Sequence, residues 1–119
     1  MTRIRILAAG LVLALALAAA ALAAHSATPK LVASVSDPLN ISLMQGKKKV
    51  ASLKAGKYTI VVKDTAADHN FHLFGPGVNK LTSVSSTGTT TWHVTLKKGT
   101  YTYQCDPHAS FMKGSFTVK

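Results

Sequence analysis

The sequence predicts an all-β domain, because short runs of β-branched and aromatic residues are separated by Gly, Pro, Asn and Asp. Two runs place apolar side chains at every second position over most of their length: Tyr58, Ile60 and Val62 in residues 57–64, and Trp92, Val94 and Leu96 in residues 89–96. No stretch after residue 24 repeats its apolar positions with the period of a helix. Alternation of period two at these spacings is typical of an antiparallel sandwich or barrel.

The predicted strands are bounded by residues that favour turns, such as Asp37-Pro38 and the Gly-Pro-Gly of residues 75–77. A loop leading into a strand is predicted for residues 83–91, which are rich in Ser and Thr. In chain order, the predicted strands are residues 31–36, 39–44, 57–64, 69–74, 89–96, 100–105 and 114–119.

The first 24 residues have the pattern of a secretory signal peptide: a basic start, a long apolar run and small residues at its end. The alternative is a retained anchor, because the apolar run is long enough to span a bilayer. Cleavage after residue 24 predicts export to a periplasm or the medium, with no membrane span in the mature form. Residues 25–30 are then a flexible lead-in, and residues 31–119 form one domain.

After residue 24 the chain has twelve lysines, no arginine and four aspartates, which gives a net charge of +8. Arginine is the leading residue type in base and phosphate recognition, so a domain without it is a poor reader of nucleic acids. The charge is better suited to solubility or to steering acidic partners.

One segment near the end of the chain concentrates metal-binding chemistry. Cys105, the single cysteine, is followed by His108 and then by Met112. A thiolate, an imidazole and a thioether form a soft ligand set that selects copper, and a second histidine would complete a blue-copper site. Alternation places His69 on the apolar face of residues 69–74, which favours it, while His72 on the opposite face remains the alternative.

These residues resemble the cupredoxins of the plastocyanin, amicyanin and pseudoazurin type, from about residue 54 to residue 119. The resemblance rests on His69-Asn70, on residues 99–108 (Gly-Thr-Tyr-Thr-Tyr-Gln-Cys-Asp-Pro-His) and on Met112. It implies an eight-stranded Greek-key sandwich with one copper at one end. His69, Cys105 and His108 would be equatorial ligands and Met112 a weak axial one.

The resemblance also assigns supporting roles. Asn70 would brace the ligand loop, with Asp106 at the position where the family usually has Ser or Thr. Three residues separate His108 from Met112, where plastocyanin-like loops have four and amicyanin-like loops have two. An apolar patch around His108 would contact a redox partner, and its candidates are Phe74, Pro76, Pro107, Ala109 and Phe111.

The function expected from this resemblance is one-electron transfer by a monomer that docks transiently on an acidic redox protein. The alternatives are copper storage, scavenging or delivery by the same ligands, and a metal-free adhesion domain with a buried, inert cysteine. Enzymatic activity is not expected. Cys105 and His108 lie on one loop with no orienting acid beyond Asp106, and so small a chain leaves little room for a substrate cleft.

Overall fold

A computed structural model describes residues 26–119, so the predicted signal segment and His25 lie outside the described residues. Ten strands and one 3-10 turn make up the described chain. The strands are β1 (Lys30–Ser36), β2 (Asn40–Gln45), β3 (Lys48–Lys49), β4 (Ser52–Leu53), β5 (Gly56–Asp64), β6 (His72–Gly75), β7 (Val78–Leu81), β8 (Gly88–Leu96), β9 (Gly99–Gln104) and β10 (Lys113–Val118).

The strands form two five-stranded sheets that pack face to face. One sheet has the order β3-β2-β1-β5-β8 and the other the order β4-β10-β9-β6-β7. The all-β prediction is confirmed, although two pairs are parallel rather than antiparallel, β1 with β5 and β4 with β10. Eight of the strands have four or more residues, and the two-residue strands β3 and β4 raise the implied eight to ten.

The core lies between the sheets and follows the predicted alternation. Along β5, Tyr58, Ile60 and Val62 are buried while the residues between them are more exposed. Aromatic rings then fill the second sheet's inner face, with Phe71 stacked on Tyr103 at 5.5 Å between ring centroids. Such rings bury large apolar areas, so they contribute heavily to the stability of a domain this small.

Strand direction gives the sandwich two ends of different composition. We call one the cysteine end; it carries the loops of residues 37–39, 65–71, 82–87 and 105–112. We call the other the lysine end; it carries the turns at residues 46–47, 54–55, 76–77 and 97–98, together with β3, the starts of β1 and β5 and the end of β10. Every residue singled out as a metal ligand belongs to the cysteine end.

Three short strands were not predicted, and one predicted strand begins later than expected. β3 and β4 have two residues each, too short to show alternation, and β7 is exposed along most of its length. β6 begins at His72, so residues 69–71 form a loop. This loop explains why Asn70 is fully buried beside His69 although alternation would expose one of the two.

Candidate metal centre

Three donor atoms converge at the cysteine end. The Nδ1 atoms of His69 and His108 lie 3.0 Å apart, and the Sγ atom of Cys105 lies 3.6 Å from the first and 3.5 Å from the second. His69 and Cys105 are buried and His108 is half-buried. They come from the loop after β5 and from the loop after β9, which the second sheet brings together.

The donor set fits a copper ion. The point equidistant from the three atoms is about 2.0 Å from each, close to the metal–nitrogen and metal–sulfur bond lengths found in proteins. Two imidazoles and one thiolate form the trigonal set of blue-copper sites.

His69 is held in the orientation that such a site requires. Its Nε2–H donates to the carbonyl oxygen of Pro38 at 2.9 Å, and the Asp37 carboxylate lies 3.3 Å from the same nitrogen. In a neutral imidazole the proton on Nε2 leaves a lone pair on Nδ1, which faces Cys105 and His108. The sequence predicts only a turn at Asp37-Pro38, because nothing in it connects this turn with His69.

The loop that carries Cys105, His108 and Met112 is closed by its own backbone. The Cys105 amide donates to the Met112 carbonyl at 3.0 Å, and the His108 and Met112 amides donate to the Cys105 and His108 carbonyls at 3.0 and 2.8 Å. Met112 is buried and belongs to the same loop as the other candidates. The loop therefore has a defined shape that depends on protein groups alone.

Asn70 and Asp106 join the two ligand loops. The Asp106 amide donates to the Asn70 side-chain oxygen at 2.8 Å, and the Asn70 side-chain nitrogen donates to the Asp106 carboxylate at 2.9 Å and to the Thr82 carbonyl at 3.3 Å. These contacts let Asn70 hold the loop of residues 65–71 against the loop of residues 105–112. The Asp106 backbone amide and carboxylate are the two groups that Asn70 contacts on the second loop.

A second bridge holds the loop after β5 and was not predicted. The buried Asp64 carboxylate accepts bonds from the Ala66 amide at 3.2 Å and from the Thr82 hydroxyl at 3.1 Å. The Thr82 hydroxyl in turn accepts from the Phe71 amide at 2.9 Å. A lone Asp ending a strand gave no sequence signal, since its partners are 2 and 18 residues away.

The structure separates His72 from the donor cluster. Its Nδ1–H donates to the Asp106 carboxylate at 2.8 Å and its Nε2–H to the Asn79 side-chain oxygen at 2.6 Å. Burial alone would lower the pKa of His72, but the hydrogen bonds to Asn79 and Asp106 and the charge of Asp106 raise that pKa overall. His72 is thus turned away from Cys105, and the geometry favours His69 over this alternative.

The pKa of Asp106 shifts in the complementary direction. Burial would raise it, but hydrogen bonds from Gln104, Asn70 and His72 lower the pKa of this carboxyl overall. Gln104 donates to it at 3.0 Å. The Asp106 carboxylate, next to Cys105, therefore connects the loop of residues 105–112 with residues 69–72.

The apolar patch around His108 stays a prediction, and the structure shows where its candidate residues lie. Phe111 is 59% exposed and its ring lies 5.5 Å from that of His108, with Pro107 and Ala109 on the same loop. Pro76 lies in the β6–β7 turn at the lysine end, where its carbonyl accepts a bond from Tyr101, so its inclusion in a patch around His108 was wrong. Phe74 packs against His72 on the outside of β6. Leu39, next to Pro38, is 50% exposed and is an apolar residue of this end that the sequence did not predict.

Comparison with known proteins agrees with this centre. A family model described as copper binding proteins of the plastocyanin/azurin family matches residues 34–119. Among solved structures, reduced rusticyanin at 1.9 Å is similar over 76% of this chain and 78% of that chain, with 22% identity and a TM-score of 0.55. Rusticyanin from Thiobacillus ferrooxidans at 1.27 Å is similar over 76% of each chain, with 23% identity and a TM-score of 0.53. At these identities the structural matches establish a shared fold. No curated protein matches the sequence significantly.

Proposed function

The chain belongs to the plastocyanin/azurin family of copper-binding proteins, and from this we propose that it is an exported one-electron carrier. Its single copper would be held by His69, Cys105 and His108 and, more weakly, by the Met112 thioether. Bound copper would supply a redox couple that changes by one electron. The observation that carries the proposal is the convergence of three donor atoms fixed by protein groups alone.

The residues around the site limit its movement. Pro38 holds the His69 ring, the loop's own amides hold Cys105 and His108, and Asn70 joins the two loops. Because these contacts do not involve the metal, the ligands need little rearrangement when its charge changes. A site that rearranges little suits rapid electron exchange better than release of the ion, which favours a carrier over a storage protein.

We propose that electrons pass between the site and a partner protein through His108. It is half-buried, whereas His69 and Cys105 are fully enclosed. Pro107, Ala109 and Phe111 on its own loop, with Leu39 exposed on another loop of the same end, offer apolar surface suited to a small, transient interface. The proposal gives Cys105 no role as an enzymatic nucleophile, since its sulfur faces two imidazoles inside the protein.

Titration of the purified protein with Cu(II) tests the ligand set. We expect an intense visible thiolate-to-copper band that saturates at one copper per chain, and Cys105→Ser should abolish it. His93→Gln is the matched control, because the His93 ring lies on the exposed face of β8 and contacts Thr59. Persistence of the band in Cys105→Ser would rule out this ligand set.

Voltammetry of the copper-loaded protein tests the carrier role. A reversible one-electron wave that persists over repeated cycles is the expected result. Tight stoichiometric binding without reversible reduction would instead support copper storage or delivery, the alternative with the same ligands.

A further inference from the structure

The lysines of this protein are confined mostly to one end. Nine of the twelve lysines in residues 26–119 lie at the lysine end, which has no acidic residue among the described residues. These nine are Lys30, Lys47, Lys48, Lys49, Lys54, Lys57, Lys97, Lys98 and Lys119. The rest of the described chain, which includes the cysteine end, has three lysines (Lys63, Lys80 and Lys113) and all four aspartates (Asp37, Asp64, Asp68 and Asp106). The side chains of the lysine end therefore carry a charge of +9, and those of the rest of the described chain a charge of −1.

The lysine ammonium groups are available for binding. All nine residues are exposed, and within residues 26–119 no lysine forms an ion pair. The described acidic groups that form ion pairs contact histidines at the cysteine end instead. A cluster of unneutralised charge costs stability through self-repulsion, so its concentration on one surface needs an explanation beyond solubility.

The chemistry of the lysine end fits a diffuse anionic surface rather than a shaped protein partner. Protein interfaces are enriched in aromatic residues and arginine, but the exposed large apolar side chains of the described chain are all at the cysteine end: Leu39, Leu81, Val84 and Phe111. The lysine end instead carries flexible point charges on several separate turns. Such an array attracts a layer of phosphate headgroups without requiring a particular geometry.

The path of the chain also favours a membrane surface as the binding partner of the lysine end. β1 starts at the lysine end, where the Pro29 carbonyl accepts a bond from the Thr59 amide at 3.0 Å. The apolar sequence of residues 4–24 is therefore joined to the lysine end through a short lead-in. If residues 4–24 insert into a membrane during export, the lysine end is the part of the domain nearest to them along the chain.

We propose that the lysine end docks on the anionic lipid headgroups of a membrane surface and that the cysteine end faces away from the bilayer. Binding would be electrostatic and peripheral, and among the described residues no helix has the length and apolar character needed to cross a bilayer. The copper-proximal apolar surface then stays free for a soluble partner. In this arrangement the lysines bind lipid headgroups and not an acidic redox partner.

Sedimentation with vesicles tests the proposal, using the copper-loaded protein purified after export. Phosphatidylglycerol–phosphatidylcholine vesicles should bind it and phosphatidylcholine vesicles should not. Raising NaCl from about 10 mM to about 1 M, which shortens the Debye length from about 30 Å to about 3 Å, should release it. Equal binding to neutral vesicles, or no binding to anionic vesicles in about 0.1 M salt, would overturn the proposal.

Two triple variants, each of which removes three positive charges, test whether vesicle binding depends on where the lysines lie or only on the net charge. Lys47→Gln, Lys54→Gln and Lys98→Gln together remove three charges from three turns of the lysine end, and the partition coefficient should fall at least tenfold, since each lysine near such a surface strengthens binding about fivefold. Lys63→Gln, Lys80→Gln and Lys113→Gln together should lower it less than threefold. Equal losses would show that only net charge matters, and binding to soluble polyglutamate without binding to vesicles would favour an acidic macromolecule; either result overturns the proposal.

The orientation is tested by reduction with hydroquinone, a neutral reductant. Because the cysteine end faces away from the lipid, vesicle-bound and free protein should be reduced at rates within about twofold. A tenfold slower rate for bound protein would overturn the orientation. This step alone rests on the proposed redox function, and the sedimentation result stands without it.

Discussion

The two ends of this sandwich are built from different kinds of interaction. At the cysteine end, buried polar side chains cross between loops, as Asn70 does to Asp106 and Asp64 does to Thr82. At the lysine end, tight turns are closed by backbone bonds and one buried tyrosine, while the charged side chains are exposed and form no ion pair within residues 26–119. Loops that must hold a metal site need cross-links among themselves, whereas short turns need little support.

Removal of the Asn70 amide should produce the largest loss. Asn70→Ala breaks three hydrogen bonds at a fully buried position, so we expect the free energy of unfolding to fall by about 3 kcal/mol. Urea unfolding of the copper-free protein measures this, and the visible band of the copper-loaded variant should broaden or shift. Asn79→Ala, at an exposed amide that accepts one bond, is the control and should cost less than about 1 kcal/mol. Similar losses in both variants would remove the special role of Asn70.

Tyr101 and Tyr103 lie two residues apart on β9, and their hydroxyl groups differ in hydrogen bonding between the two ends. The Tyr101 hydroxyl donates to the Pro76 carbonyl at 2.6 Å and accepts from the Lys97 amide at 2.9 Å, so it ties together two turns of the lysine end. The buried Tyr103 hydroxyl, nearer the cysteine end, lies close to the Leu43 backbone but makes no hydrogen bond of good geometry among the described residues. Tyr101→Phe should therefore cost about 2 kcal/mol, and Tyr103→Phe should be neutral or slightly stabilising. Thermal unfolding of both variants checks this, and a larger loss in Tyr103→Phe would contradict it.

The ion pair between His72 and Asp106 should make the stability of the cysteine end depend on pH. A raised pKa means that folded His72 holds its proton more tightly than the unfolded residue, so its contribution is full below the ordinary pKa of 6.5 and is lost as pH rises through the raised value. The lowered pKa of Asp106 acts oppositely: its contribution is present above the ordinary 3.8 and is lost as pH falls through the lowered value. The pair should therefore stabilise the fold most between these two ordinary values.

We expect His72→Gln to cost about 1 kcal/mol near pH 5.5, a small effect because the pair is partly exposed to solvent, and progressively less as the pH rises above 6.5 and through the raised pKa of His72. Urea titrations of the copper-free protein at several pH values measure the difference, and His93→Gln provides a control histidine on the exposed face. A difference between wild type and His72→Gln that grows as the pH rises would contradict this sign.

The smallest expected effect is at the lysine end. Lys98→Gln should raise the free energy of unfolding by less than about 0.5 kcal/mol at low salt, because it relieves repulsion among unpaired lysines, and the gain should vanish at high salt. Lys63→Gln, next to the buried Asp64, should give no such gain. Equal gains from both variants would show that the repulsion is not localised.

Much of the fold could be predicted because its signals are local. The alternation in residues 57–64 and 89–96 and the spacing of Cys105, His108 and Met112 are visible within a single segment. The contacts that complete the site join distant parts of the chain: Pro38 with His69, Thr82 with Asn70, and Asn79 with His72. Net charge could be counted from the sequence, but its division between the ends depends on strand direction. Strand direction also explains why Pro76 does not lie near His108: β6 begins at the cysteine end and ends at the lysine end, just before Pro76.

The positions of residues 26 and 119 have a practical consequence. β1 begins at the lysine end, and the Lys119 carbonyl accepts a bond from the Ala55 amide at 3.0 Å at the same end. An affinity tag, a fused domain or an electrode linker attached at either position would leave the His108 surface unobstructed. Immobilised through either position, the molecules of a monolayer would all present the same face to the solution, so the fold is suited to uniform attachment on a sensor.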